Sequence, residues 1–207
     1  MIRSVYIIGY EGNMAKRYRA CLDYLGVKHC GEDIYTDPVD KVEDCDGIII
    51  ATPTERHISH LSMFADYDKP ILVEKPISLK PFILNGGNVQ MVNQYAHCGP
   101  FPGGETYYDC WRTGNDGLAW DCINIIGLSD KMPNLNNKSP IWKCMINGKE
   151  LTLADIDLSY IKMIDSWTKN PVSNTDYINE AHDKVRRFLE ANNNRNPGEV
   201  YKYTLAW

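Results

Sequence analysis

The sequence predicts an α/β fold. A shortened parallel sheet with helices on both faces comes first, a small α+β domain with a mostly antiparallel sheet follows, and closing helices pack back on the first domain. Three observations predict it. Residues 48–76 read as strand, helix, strand, a βαβ unit that implies parallel pairing. Residues 4–25 read as strand, glycine turn, helix. Residues 154–169 and 175–192 carry apolar side chains at helical spacing.

In order, residues 4–8 (SVYII) are a buried-strand run, and 9–14 (GYEGNM) are the turn. Residues 15–25 place Tyr18, Cys21, Leu22 and Leu25 on one helical face, with Met14 beside them, and Gly26 closes the helix. Gly9 and Gly12 let backbone approach a pyrophosphate, and the helix start, with Asn13 and Met14, offers N–H donors and the positive end of a dipole. Glu11 sits in the turn and repels a phosphate unless it points away. Two uses of the turn stay open: a pyrophosphate cradle, or helix–strand packing without a ligand. Residues 27–30 are the second strand. Asp33 or Glu32 beyond it stands where a ribose hydroxyl is gripped, or simply forms an acidic surface turn.

Residues 34–47 make a short connection, with Asp37 as helix cap before Pro38. Residues 48–51 are a β-branched buried strand, 52–54 end it, and 55–67 are a helix with His57, Leu61 and Phe64 inward. Residues 71–73 are another buried strand, with Glu74, Lys75 and Pro76 at its carboxyl end, where ligands bind in open α/β sheets. Residues 78–86 are a short helix or loop, 85–88 a turn, and 89–95 a strand that sets Asn93, Tyr95 and His97 on one face. Residues 105–112 are a strand. Residues 117–128 are an apolar helix whose one charge, Asp121, needs a partner or a function. Asn147-Gly148 between apolar runs signals a tight hairpin. Pro171 separates the two closing helices, and 200–207 are strand-like. The domains read as 1–78, 79–152 and 153–207.

The chain has 207 residues and a net charge of -5, which gives no support to a nucleic-acid partner. No apolar run approaches the ~20 residues that span a bilayer, and the N-terminus reads as a strand rather than a signal peptide. The seven cysteines, Cys21, Cys30, Cys45, Cys98, Cys110, Cys122 and Cys144, form no CxxC pair. That argues against a disulfide framework or a metal site and for a reducing, cytoplasmic location.

Ala51-Thr52-Pro53-Thr54-Glu55-Arg56-His57, followed by Glu74-Lys75-Pro76 with a strand before each, resembles the Gfo/Idh/MocA family of glucose–fructose oxidoreductase and inositol dehydrogenase, with Thr54 where the family has Asn. The resemblance implies a Rossmann-like first domain and an NAD- or NADP-dependent oxidoreductase. Its substrate would be a secondary alcohol of a sugar, nucleotide sugar or cyclitol, and its assembly a dimer or tetramer. Asp33 without a neighbouring Arg favours NAD. It implies Lys75 as proton carrier or polariser, acting with Asp121. Gly9, Glu11, Gly12, Asn13, Met14, Asp33, Ala51, Thr52, Pro53, Thr54, His57, Glu74 and Pro76 would surround the cofactor, and Asn93, Tyr95 and Asn124 the substrate. The family's His after Asp121 is absent, with Asn124 and Ile125 in its region, so either Lys75 acts alone or His97 takes its part from another element. The second reading is a non-catalytic relative that binds a nucleotide or sugar or serves in assembly.

Overall fold

The first sheet begins with β1 (Ser4–Ile8), whose residues Val5, Tyr6 and Ile7 are fully buried. Burial on both faces is what an unbroken β-branched run is suited to. The glycine turn leads into α1 (Asn13–Leu25), which buries Ala15, Tyr18, Cys21 and Leu22 and ends on Gly26. The chain then continues through β2 (Lys28–Glu32), β3 (Gly47–Ile50), α2 (Thr54–Met63), β4 (Ile71–Val73) and β5 (Val89–Met91). The strand order is β2-β1-β3-β4-β5, all parallel. The computed structural model describes residues 1–33, 42–78, 80–98, 108–111, 134–136, 143–146 and 149–193. The expected cap at Asp37, the helix over 117–128 and the strand over 200–207 lie outside them.

Two expectations need correction. The helix over 55–67 stops at Met63; beyond it Phe64 and Tyr67 pack edge to face in a turn closed by Tyr67 N–H to the Phe64 carbonyl. The strand over 89–95 stops at Met91, and Gln94–His97 form a 3-10 turn. The ladder ends at Val92, whose N–H still reaches the Val73 carbonyl, whereas the next N–H, of Asn93, goes to Met163 Sδ at 3.3 Å. Asn93, Tyr95 and His97 therefore do not share a strand face. Residues 80–88 form a loop, without the helix that Pro81 could have opened.

The closing helices are α3 (Leu153–Lys169), opened by a Thr152–Asp155 capping box, and α4 (Thr175–Asn193). Both return to the first sheet. Trp167 of α3 is fully buried against Gly47, and Ile2 N–H reaches the Thr168 carbonyl at 2.7 Å. On the other side, the segment before α4 serves the free edge of β5. Met91 N–H donates to Asn174 Oδ1 at 3.0 Å, and Asn174 N–H donates to the Val89 carbonyl at 3.1 Å. Asn179 does the same for the loop, accepting from Leu84 N–H and donating to its carbonyl, both at 3.1 Å. Side-chain amides thus occupy backbone groups that an edge strand would leave open to pairing.

A second sheet has the order β7-β6-β8-β9, from β6 (Tyr108–Trp111), β7 (Asn134–Asn136), β8 (Lys143–Ile146) and β9 (Lys149–Glu150). β6 pairs parallel with β7 and antiparallel with β8, and β8 pairs antiparallel with β9. Ile146 opposite Lys149 is the register a two-residue Asn147-Gly148 connection requires. Among the described residues no helix is long and apolar enough to cross a membrane.

Candidate functional site

The carboxyl ends of β1, β3, β4 and β5 form one crest. Its first member is Gly9, at φ +83°, where a Cβ would stand 2.9 Å from the Ala51 carbonyl oxygen. Glycine is required twice over, by a left-handed backbone and by the end of β3 lying against it. Gly9 and Tyr10 both donate backbone N–H to the Glu32 carbonyl, at 2.9 and 3.1 Å, which ties the turn to the end of β2. Gly12 is the N-cap of α1 and makes no side-chain cap bond, and the first turn of α1, from Asn13 through Met14, holds no acid. Glu11 is exposed and lies 3.7 Å from the Arg19 guanidinium, which also covers the Tyr10 ring at 4.4 Å. Its charge is met by a cation of α1. Asp33 is exposed beyond β2, and Glu32 is the last residue of that strand.

Ala51, Thr52, Pro53 and Thr54 turn the chain from β3 into α2. Thr52 is buried, and its hydroxyl pairs with His60 Nδ1 at 3.0 Å, so it presents backbone rather than its hydroxyl to the crest. His57 is buried between two carbonyls, with Nε2 2.8 Å from Thr52 O and Nδ1 2.9 Å from Pro76 O. It joins the ends of β3 and β4. Burial pulls its pKa down, and the two carbonyls and Glu74 oppose that pull.

Glu74 is buried, and both of its oxygens are used. Oε1 accepts from the Tyr18 hydroxyl of α1, and Oε2 accepts from Lys75 N–H at 3.0 Å. Burial and then Glu74 push the Tyr18 pKa far up, so the phenol keeps its proton and donates it. Glu74 thus braces the backbone under Lys75, as the alternation of side chains along a strand requires. The next peptide bond, Lys75-Pro76, is cis. Lys75 is half-buried beside Tyr160 of α3. Burial and Glu74 push the Tyr160 phenol up to about 12, against the pull of Lys75 and Arg17. Arg17 lies 4.8 Å over the Tyr160 ring, and Tyr18 meets that ring edge-on. Removing the brace with Tyr18→Phe leaves a buried carboxylate oxygen unpaired and is expected to lower stability by about 2 kcal/mol. Urea unfolding reads it, and an unchanged midpoint would sink this assignment.

The β5 end adds Asn93, half-buried, whose Oδ1 is buried without a hydrogen-bond partner among the described residues. Tyr95 is buried beneath α3 rather than presented to the crest. His97 is half-buried near Lys162, and burial and that cation lower its pKa. Asp121 and Asn124 lie outside the described residues.

Behind the crest His182 of α4 is buried, accepts from Ile77 N–H at 3.2 Å and meets the Phe82 ring edge-on. Burial, with His57 next, pulls its pKa down to about 3. The unfolded chain binds this proton near pH ~6.5 and the folded chain only far lower, so stability is lost as pH falls through that window. His57 and His60 shift the same way. From pH 7 to 5 His182 alone is expected to cost about 2 kcal/mol. His182→Gln, whose amide can still accept from Ile77, should flatten the stability profile there, and a profile parallel to that of the parent would contradict it.

Sequence reasoning missed the roles of Tyr18, Tyr160 and His182. Each sits on an apolar helical face and reads as core. The signal that singles them out is the buried Glu74 and the backbone of Ile77, and neither can be seen without the fold.

The model of a family described as oxidoreductases with an NAD-binding Rossmann fold, GFO_IDH_MocA, matches residues 4–83. No curated protein matches the chain in sequence. Among solved structures, a myo-inositol dehydrogenase from Corynebacterium glutamicum is similar with a TM-score of 0.64 at 10% identity, over 92% of this chain and 96% of that one. The WlbA (WbpB) dehydrogenase from Thermus thermophilus, in complex with NAD and UDP-GlcNAcA, gives 0.59 at 13%, over 88% and 93%. The UDP-N-acetylglucosamine 3-dehydrogenase GnnA from Acidithiobacillus ferrooxidans gives 0.60 at 11%, over 89% and 95%. At these identities the likeness is one of fold. The match over residues 4–83 covers the glycine turn, the ATPTERH segment and Glu74-Lys75-Pro76 alike, so in this part the chain is similar to the Gfo/Idh/MocA oxidoreductase family.

Proposed function

We propose that the chain is an NAD(P)-dependent oxidoreductase of a secondary alcohol carried by a sugar, nucleotide sugar or cyclitol. The observation that carries this reading is the placing of Lys75. It stands at the carboxyl end of β4, half-buried, with both oxygens of its neighbour Glu74 committed to Tyr18 and to its own N–H.

The residues fit a dinucleotide. Gly9 lets the turn lie tight against the end of β3, and α1 offers backbone N–H groups with no acid in its first turn. Glu11 is paired with Arg19. Gly9, Gly12, Asn13 and Met14 would hold the pyrophosphate, Glu32 or Asp33 the ribose, and Ala51 through Thr54 the nicotinamide side. The acid at the end of β2 favours NAD. The cofactor, when bound, exchanges the two electrons of alcohol oxidation at its nicotinamide ring. In the direction of ketone reduction the Lys75 ammonium polarises the carbonyl and gives its proton to the forming alkoxide. The Tyr160 phenol, held protonated, is a further donor beside it. Asn93 offers its unpartnered oxygen to a substrate hydroxyl, and His97 lies on the same end of the sheet. The myo-inositol and UDP-sugar dehydrogenases named above put polyol and sugar substrates first among the secondary alcohols to be tried.

Thermal-shift titration with NAD, NADH, NADP and NADPH tests the cofactor. At a hundredfold excess over Kd the expected stabilisation is about 2.7 kcal/mol, with NADH above NADPH. No shift with any of the four would remove the oxidoreductase reading. A shift without turnover on any polyol or sugar would favour the non-catalytic relative instead.

A further inference from the structure

We propose that Cys30 and Cys45 form a redox-active dithiol site whose disulfide closes the crossover between β2 and β3. Their sulfurs are 3.7 Å apart across 15 positions of sequence. Cys30 sits in the middle of β2, paired with Tyr6 of β1, and Cys45 is buried in the turn that enters β3.

Cys30 is held by the pairing of β2 with β1, and the turn that carries Cys45 is tied down from two directions. The Lys69 ammonium donates to the carbonyls of Val42, Glu43 and Cys45. The Asp46 carboxylate accepts the N–H groups of Arg3 and Ser4 at 2.8 and 3.1 Å. The thiols are therefore presented to each other by backbone that does not have to search. A disulfide needs its sulfurs at about 2.05 Å, and side-chain rotation with a small backbone shift covers the difference. The surroundings include polar groups. The Tyr6 hydroxyl faces Glu32 beside the pair, and burial with that carboxylate pushes the phenol pKa up, so it stays protonated there. In a full dinucleotide fold a helix and a further strand would follow β2. Here the sequence supplies only a short connection, and a covalent tie at its two ends takes over part of the constraint those elements would give.

The chemistry balances with an oxidised low-molecular-weight disulfide such as oxidised glutathione. Cys45 is the more buried thiol, and burial pushes its pKa up to about 12, so it stays protonated. Cys30, more exposed, begins. Its thiolate attacks one glutathione sulfur and expels a glutathione thiolate, giving a mixed disulfide. Cys45 passes its proton to that thiolate and attacks the Cys30 sulfur, which expels the second glutathione. Two protein thiols lose two electrons, and one glutathione disulfide becomes two thiols.

The test is to incubate the full chain with oxidised glutathione, alkylate the remaining thiols and map its peptides. The expected product is two mass units lighter, carries a Cys30–Cys45 cross-link and melts roughly 5 °C higher, all reversed by dithiothreitol. Cys45→Ser is expected to stop at a glutathione adduct on Cys30, and Cys30→Ser to give neither adduct nor cross-link at these positions. Because the mapping on the parent chain needs no variant, a folding defect in either one leaves the result readable. Absence of the cross-link, or a cross-link that joins other cysteines, overturns the proposal. A cross-link without a rise in melting temperature overturns its role as a tie across the crossover.

Discussion

Lys75→Met is expected to lower kcat by about 10²–10⁴-fold while leaving the cofactor's thermal shift in place. Methionine keeps the length and the apolar stem of lysine and removes only the ammonium. The brace beneath it survives, because Glu74 is held by the Tyr18 hydroxyl and by a backbone N–H that methionine also has. His57 still joins Thr52 to Pro76. Loss of turnover with cofactor binding intact therefore assigns the ammonium to proton transfer or carbonyl polarisation. Turnover within threefold of the parent would take Lys75 out of the reaction. Loss of cofactor binding together with turnover would make it a binding residue instead.

Gly31→Ala is expected to destabilise the chain by at least about 3 kcal/mol, although a sequence reading finds nothing remarkable in a glycine ending a short strand. Gly31 of the edge strand β2 pairs with Ile7 of β1, and a Cβ there would stand 2.0 Å from the Ile7 carbonyl oxygen and 2.5 Å from Tyr10 Cδ2. The ring could move only by leaving Arg19 and the 2.9 Å bond from its hydroxyl to His29 Nδ1. The carbonyl belongs to β1, which is paired with a strand on either side and cannot move alone. β2 would have to shift, and the Glu32 carbonyl would then leave the N–H groups of Gly9 and Tyr10. Cofactor affinity should fall with stability. Chemical denaturation reads the first and thermal shift the second. Gly12→Ala, whose Cβ would meet the Gly9 carbonyl oxygen at 3.0 Å and the Ala51 carbonyl oxygen at 3.7 Å with an ordinary backbone, is the milder comparison. A stability for Gly31→Ala within about 0.5 kcal/mol of the parent would show that β2 yields more easily than its packing implies.

The parallel sheet was legible because buried β-branched runs such as 4–8, 48–50 and 71–73, and helical faces such as Tyr18-Cys21-Leu22, express local periodicity that burial on both sides demands. The motif pair ATPTERH and Glu74-Lys75-Pro76 marked the crest for a related reason, since each sits where a strand of that sheet ends. Strand 89–95 was misjudged where locality failed. Its alternation is real, but α3, seventy residues later, takes the Asn93 N–H and turns the chain into a 3-10 helix.

By itself, then, the sequence determined the βαβ order, the glycine turn and the place of Lys75 at a strand end. Tertiary structure alone decided which groups surround that lysine. Glu74 meets Tyr18 across 56 positions, and Ile77 meets His182 across 105. The partner of a buried polar group is fixed by which helix lands on it, and no pattern within a few turns of chain can carry that choice.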